Sequence, residues 1–156
     1  MYSLRKANLD DVEKLIDFRI KFLKEIQDPP SDTEMKAFKK TLRNFFIDKM
    51  KSNDFIAWLA EFDNIIIASS GLSFLHKPPH FINTTGKSAY IMNMYTNPEW
   101  RRKGIGGVLL EKLFEEIKKQ GIQSVSLHAT PSGRPLYEKY GFRENEGDKE
   151  MILNLL

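Results

Sequence analysis

The 156 residues of the chain fit the roughly 150 of one domain, a size that buries about 70% of the unfolded surface and supports a core without staples. A composition of 41% hydrophobic and 29% charged residues is ordinary for a globular protein; it excludes disorder and collagen-like repeats, and no run of ~18 apolar residues offers a membrane span. Cysteine is absent and the net charge is only +3, from 24 basic and 21 acidic side chains, which excludes disulfides, zinc thiolates, iron–sulfur clusters and a cysteine nucleophile and gives no basic stripe for a nucleic acid.

The opening Met1-Tyr2-Ser3-Leu4-Arg5 lacks the apolar core of a signal peptide, so a cytoplasmic protein is expected. Residues 2–7 read as a short strand that ends at Asn8 or Asp10 as a helix cap. From Val12 to Ile26, the positions Val12, Leu15, Ile16, Phe22, Leu23 and Ile26 keep helical spacing, and Arg19 falls on the same inward stripe. Pro29-Pro30 ends that helix. Ser31-Asp32-Thr33-Glu34 has capping-box spacing and opens a second helix with the stripe Met35, Phe38, Leu42, Phe45, Phe46 and Met50.

The period then changes. Phe55–Phe62 and Ile65–Leu75 are rich in β-branched and aromatic residues, and Asp63-Asn64 between them predicts a hairpin. Residues 76–87 read as an exposed loop, and Ser88–Thr96 as a further strand ending at Asn97-Pro98. After the glycine-rich stretch Arg101–Gly107 a third helix is expected to about Gln120, with Gly121 as its C-terminal cap. Gln123–Ala129 predicts a strand, Pro131–Tyr140 a short helix, and Phe142–Leu155 strand residues around Glu146-Gly147-Asp148.

The chemistry-bearing signal is the turn Arg101-Arg102-Lys103-Gly104-Ile105-Gly106-Gly107. Glycines at a helix start let backbone amides approach an anion, and those amides lack intrahelical partners. Together with the macrodipole they form an anion site suited to phosphate. The Walker pattern is missing, and so is GxGxxG. A glycine-bearing helix start with a solvated basic run is the plain alternative.

Arg101-Arg102-Lys103-Gly104-Ile105-Gly106 resembles the R/Q-x-x-G-x-G/A signature of the GCN5-related N-acetyltransferases, and Leu136-Tyr137-Glu138-Lys139-Tyr140-Gly141-Phe142 resembles that family's "LYEKxGF" ending. The two motifs stand in the family's order, and the resemblance spans nearly the whole chain. It implies a single α/β (α+β) domain over residues 1–156. The implied sheet is mixed, of about six to seven strands with the fourth and fifth splayed apart, and is packed by about four helices.

The resemblance further implies acetyl-CoA as co-substrate and no metal. The amides of Arg102, Lys103, Gly104, Ile105, Gly106 and Gly107 would grip its pyrophosphate, with Arg101 in the same motif. Met94, Tyr95 and Thr96 would lie along the pantetheine arm. A backbone amide near Met94 or Tyr95 would hold the oxyanion. Tyr137 matches the family's frequent general acid, which protonates the departing thiolate; otherwise it is an aromatic on the inner face of the last helix. The acceptor would be a small-molecule or peptide amine that attacks the thioester directly, since no cysteine can carry an acyl intermediate. No nucleic acid or membrane partner is expected; homodimers are common in the family, and the final strand offers an edge for such pairing, by analogy alone.

The chain departs from the family where many relatives place a glutamate. Tyr90-Ile91-Met92-Asn93-Met94 holds no carboxylate. The base that deprotonates the amine is then Glu61, Asp63, His128 or water. His128 otherwise packs as an ordinary strand histidine, and His76 and His80 are separated by Pro78-Pro79 and give no metal pair. Arg19 either pairs with a carboxylate or meets an acidic group of the acceptor. Phe18, Phe22, Trp58, Tyr90 and Tyr95 line an acceptor pocket or belong to the core. Arg134, Lys139 and Arg143 hold the 3′-phosphate of CoA or are solvated surface charge. The missing carboxylate also leaves a second function open, a non-catalytic module that binds or senses acyl-CoA.

Overall fold

Asp63 and Asn64 both have positive φ, 49° and 61°, the signature of a two-residue type I′ turn. They join strand β2 (Phe55–Phe62) to β3 (Ile65–His76), with Phe62 opposite Ile65. The computed structural model describes residues 1–147 and 149–155. Around the hairpin it adds β1 (Ser3–Lys6) antiparallel to β2, β4 (Lys87–Thr96) antiparallel to β3, and β5 (Val125–Ser126) parallel to β4. The sheet order is β1-β2-β3-β4-β5.

Helices cover both faces. Helices α1 (Val12–Ile26) and α2 (Asp32–Lys51) pack on Phe55, Ala57, Leu59 and Tyr95. The opposite face meets α3 (Ile105–Lys119) and α4 (Arg134–Lys139) through Ile56, Leu72, Ala89 and Ile91. Burial on both faces explains why β2 reads as a nearly continuous apolar run rather than an alternating one. Phe18, Phe46 and Phe55 anchor the first face, each no more than 1% exposed.

The helix boundaries follow the local chemistry. Both capping boxes form: Asn8 with Asp11, and Ser31 with Glu34, whose carboxylate accepts the Ser31 amide at 3.0 Å. Gly121, at φ 66°, ends α3 as a left-handed cap. Helix α3 begins at Ile105, two residues before the end of the glycine stretch, so Gly106 and Gly107 lie inside its first turn.

The strand count is a correction. Five strands form among the described residues, against about six to seven expected. The expected strand Gln123–Ala129 shrinks to Val125–Ser126, because β4 is its only ladder partner and the two strands diverge beyond Tyr90 and Ser126. Residues 142–147 and 149–155 join no ladder; Asp148 of the expected turn lies outside the described residues. Met151, Ile152, Leu153 and Leu155 are exposed, and the segment pairs with neither edge of the sheet among the described residues. Among the described residues no helix is long and apolar enough to cross a membrane.

One polar network ties β1 to the start of α1. The Arg5 guanidinium donates to both Asp11 oxygens at 2.9 Å and to Glu61 at 2.8 Å, while the Asn8 amide donates to Asp11. The Arg5 hydrogen bonds hold the Asp11 carboxyl below its ordinary range, against the opposing effect of its burial. A depressed native pKa contributes stability above the unfolded value near 3.9, and that contribution disappears as pH falls through the native value. Removing the Asp11 charge as Asp11→Asn should therefore cost about 2 kcal/mol at neutral pH and flatten the acid limb of a urea-unfolding series below about pH 4.

Candidate active site

The middle of β4 is bent. Ser69 pairs with Tyr95 and Gly71 with Met92, so Ser70 alone faces both Asn93 and Met94. This is a β-bulge, and Asn93 carries it at φ 58°. Asparagine tolerates left-handed backbone better than most residues. Its side-chain NH2 donates to the Leu15 carbonyl at 3.4 Å, and its own carbonyl accepts the Ser69 hydroxyl at 2.9 Å. Asn93 is 2% exposed, and its side-chain oxygen has no hydrogen-bond partner among the described residues.

The bulge opens the sheet. β4 and β5 share only the pairs Ala89–Val125 and Tyr90–Ser126. From Ile91 onward, the edge of β4 facing β5 has no ladder partner among the described residues. Met94, Tyr95 and Thr96 lie on this stretch, although the Thr96 carbonyl is already engaged by the Arg101 guanidinium at 2.8 Å.

Beyond β4 the chain turns through Pro98–Trp100 into α3. The Trp100 and Arg101 amides bond back to Asn97 and Pro98, and the next bonded amide is that of Val108, to Gly104. Six consecutive amides, Arg102 to Gly107, have no hydrogen-bond partner among the described residues. Arg102 and Gly104 are both left-handed, at φ 60° and 79°. Alternating backbone handedness of this kind turns successive N–H groups into one concavity. Gly106 and Gly107 have a different use: a Cβ there would meet Leu136 at 3.2 Å and the Tyr140 hydroxyl at 3.0 Å. They bring α3 close to α4.

Arg101 lies in the motif but faces away from that concavity. Its guanidinium binds Thr96 and, at 2.5 Å, Glu25 of α1, and it lies over the Tyr95 ring. Lys103 covers Trp100.

Tyr137 projects from α4 into the apolar cluster of the β4–β5 region, beside Phe142. Burial, then the neighbouring Tyr90, pushes its phenol above the ordinary value, so it stays protonated at neutral pH. Tyr90 in turn shares a 2.8 Å hydrogen bond with Nδ1 of His128, just beyond β5. Burial raises Tyr90 as well, with Arg19 acting against it and Glu150 with it.

Two of the candidate bases lie elsewhere. Glu61 is bonded to Arg5 on β2, and Asp63 forms the hairpin turn, so neither reaches the β4–β5 opening. His128 does stand beside it. Phe18 and Tyr95 belong to the core, whereas Trp58 faces α3 and donates to Glu116 at 3.3 Å. Arg134 is engaged by Glu138 and Glu144. Among the described residues no group of three His, Asp or Glu side chains could hold a metal ion. Periodicity and spacing do not locate the bulge at Asn93; an asparagine inside an otherwise apolar strand is the one sequence signal for it.

Residues 19–142 match the model of the acetyltransferase (GNAT) family. The chain belongs to that family. It is similar to the crystal structure of a predicted acetyltransferase with acetyl-CoA from Clostridium acetobutylicum, at 36% identity and a TM-score of 0.90 over 99% of this chain and 97% of the other. A GCN5-related N-acetyltransferase from Ralstonia eutropha is similar at 26% identity and a TM-score of 0.84, over 97% and 99% of the two chains. Among curated relatives, the ribosomal protein bS18-alanine N-acetyltransferase of Escherichia coli is 36% identical over 59 residues, or 36% of this chain. The match spans 40% of that relative's length. A glucosamine 6-phosphate N-acetyltransferase of Trypanosoma brucei brucei is 31% identical over 85 residues, 54% of this chain and 56% of its own.

The bulge of this GNAT chain is testable by itself. Asn93→Gly keeps the left-handed conformation and should cost less than about 1 kcal/mol. Asn93→Val forces a β-branched residue into it and should cost about 2–3 kcal/mol, read from urea unfolding.

Proposed function

We propose that the protein transfers the acetyl group of acetyl-CoA directly to a primary amine. The observation that carries this reading is the run of six amides without partners, Arg102 to Gly107, set beside a strand pair that separates. A diphosphate matches such a row of donors at a helix start in charge and size. The relative from Clostridium acetobutylicum, described with acetyl-CoA, supports the same ligand here.

The thioester supplies the activated acetyl group; the chain's residues do the rest. The amides of Arg102 to Gly107 hold the pyrophosphate, and the open edge of β4 at Met94 and Tyr95 receives the pantetheine arm as an added strand would be received. Arg101 braces that edge against α1 rather than touching phosphate. Tyr137, kept protonated by burial, donates its proton to the departing thiolate. His128 accepts the amine's proton at the side of the opening, with Tyr90 fixing its ring through the shared hydrogen bond. The acceptor is a small molecule or a peptide amine, as the two curated relatives' names illustrate.

Calorimetry with acetyl-CoA should show one tight site. Gly104→Asp would place a carboxylate at the phosphate position and lower affinity at least about tenfold; an unchanged affinity would remove the turn from the reading. Tyr137→Phe should reduce kcat about 100-fold and leave acetyl-CoA affinity within about twofold, since it deletes only the proton donor. With Tyr137 pushed above its ordinary value near 10, loss of its proton should depress wild-type turnover only above about pH 10.

A further inference from the structure

Arg19 is the misfit in α1. It continues the buried line of Leu15 and Phe18, both no more than 1% exposed, and is itself half-buried. Arg5, Arg43, Arg101 and Arg134 each meet a carboxylate at 2.5–2.9 Å. Arg102 and Arg143 stand exposed. Arg19 makes neither a hydrogen bond nor an ion pair among the described residues; its guanidinium lies 5.9 Å from the centre of the Phe22 ring. Burial disfavours its charge, and Tyr90 is the one titratable group among the described residues that acts on it. Glu150 acts on Tyr90 but not on Arg19.

A guanidinium withdrawn from water without a partner destabilises the folded chain. Its five donors form a rigid fork suited to two oxygens of one anion. The place matters too. Helix α1 packs against β4, and Tyr90 of β4, whose phenol feels the Arg19 charge, shares a 2.8 Å hydrogen bond with His128. An anion held by Arg19 therefore sits on the α1 side of β4, a short link from the groups that handle protons.

We propose that the amine accepted by this protein also carries an anionic oxygen group, a carboxylate or a phosphate, and that Arg19 receives it. This rests on the acetyl-transfer reading above and narrows its acceptor to a zwitterionic class. Arg19 is then a specificity residue: it touches the acceptor's anion and leaves the reacting atoms to others.

The test uses matched pairs of acceptors with wild-type protein, Arg19→Gln and Arg19→Lys: 4-aminobutyrate and butylamine, glycine and glycinamide, phosphoethanolamine and ethanolamine. Thiol release at saturating acetyl-CoA gives kcat and KM, and calorimetry on the CoA-loaded protein gives binding without turnover. At least one anionic member should exceed its neutral twin about tenfold or more in kcat/KM or affinity, and the arm that does so identifies carboxylate or phosphate. Arg19→Gln should erase that margin through KM, leaving kcat and the neutral twin within about twofold, while Arg19→Lys keeps part of it. Since no partner is orphaned, Tm should stay level or rise in Arg19→Gln. Equal use of both twins by the wild type overturns the proposal. So does an equal loss on both in the variant, a fall in Tm with selectivity unchanged, or no binding by any anionic member. Failure of wild-type protein to bind acetyl-CoA at all is a different result, and it removes the preceding reading.

Discussion

The fold turns on one left-handed residue in the middle of a strand. A regular β4 would run alongside β5 and seal the sheet. The extra residue at Asn93 bends β4 after Ile91 and strips two strands of their shared ladder. Three contacts maintain the bend: the amide of Asn93 on the Leu15 carbonyl, the Ser69 hydroxyl on the Asn93 carbonyl, and the ring of Phe18 against Tyr95 at 5.3 Å. Each crosses from one element to another, so the opening is held by the core rather than by the strand. The side-chain oxygen of Asn93 is left without a hydrogen-bond partner among the described residues, a cost that the surrounding contacts offset.

The glycine turn is assembled by different means. Its donors are main-chain groups, and their direction is set by the two left-handed residues Arg102 and Gly104. The remaining glycines act at a distance from the donors. They let α4 approach α3, and α4 carries Tyr137. One short sequence thus fixes both the row of amides without partners among the described residues and, through helix packing, the placement of a phenol about thirty residues further along.

Much of this was legible in the sequence. Helices α1 and α2, the Asp63-Asn64 turn, the Asn8 cap and the Ser31 capping box are encoded by local rules, periodicity and hydrogen-bonding side chains, that neighbours do not override. The amide run Arg102–Gly107 was legible because a helix start leaves donors free whatever surrounds it. What escaped depends on contacts distant in sequence. The shortening of the strand at 123–129 follows from a bend on another strand, and no local pattern in Val125–Leu127 records it. The apolar residues 151–155 look strand-like, yet a strand needs a partner that sequence spacing does not supply. Glu61 looked like a base until Arg5 was seen beside it, a partner 56 positions away. Arg101 sits inside a phosphate motif, but its side chain answers to Glu25 on the first helix.

That last contact changes how the turn would attract the ligand proposed for it. With Arg101 committed to Glu25 and Thr96, attraction would come chiefly from peptide dipoles frozen in place by the fold. Frozen dipoles need no rearrangement when a ligand arrives, and they are indifferent to which side chains decorate the outer rim. On that reading the rim side chains carry little of the grip, which would endure so long as the backbone keeps its handedness at Arg102 and Gly104.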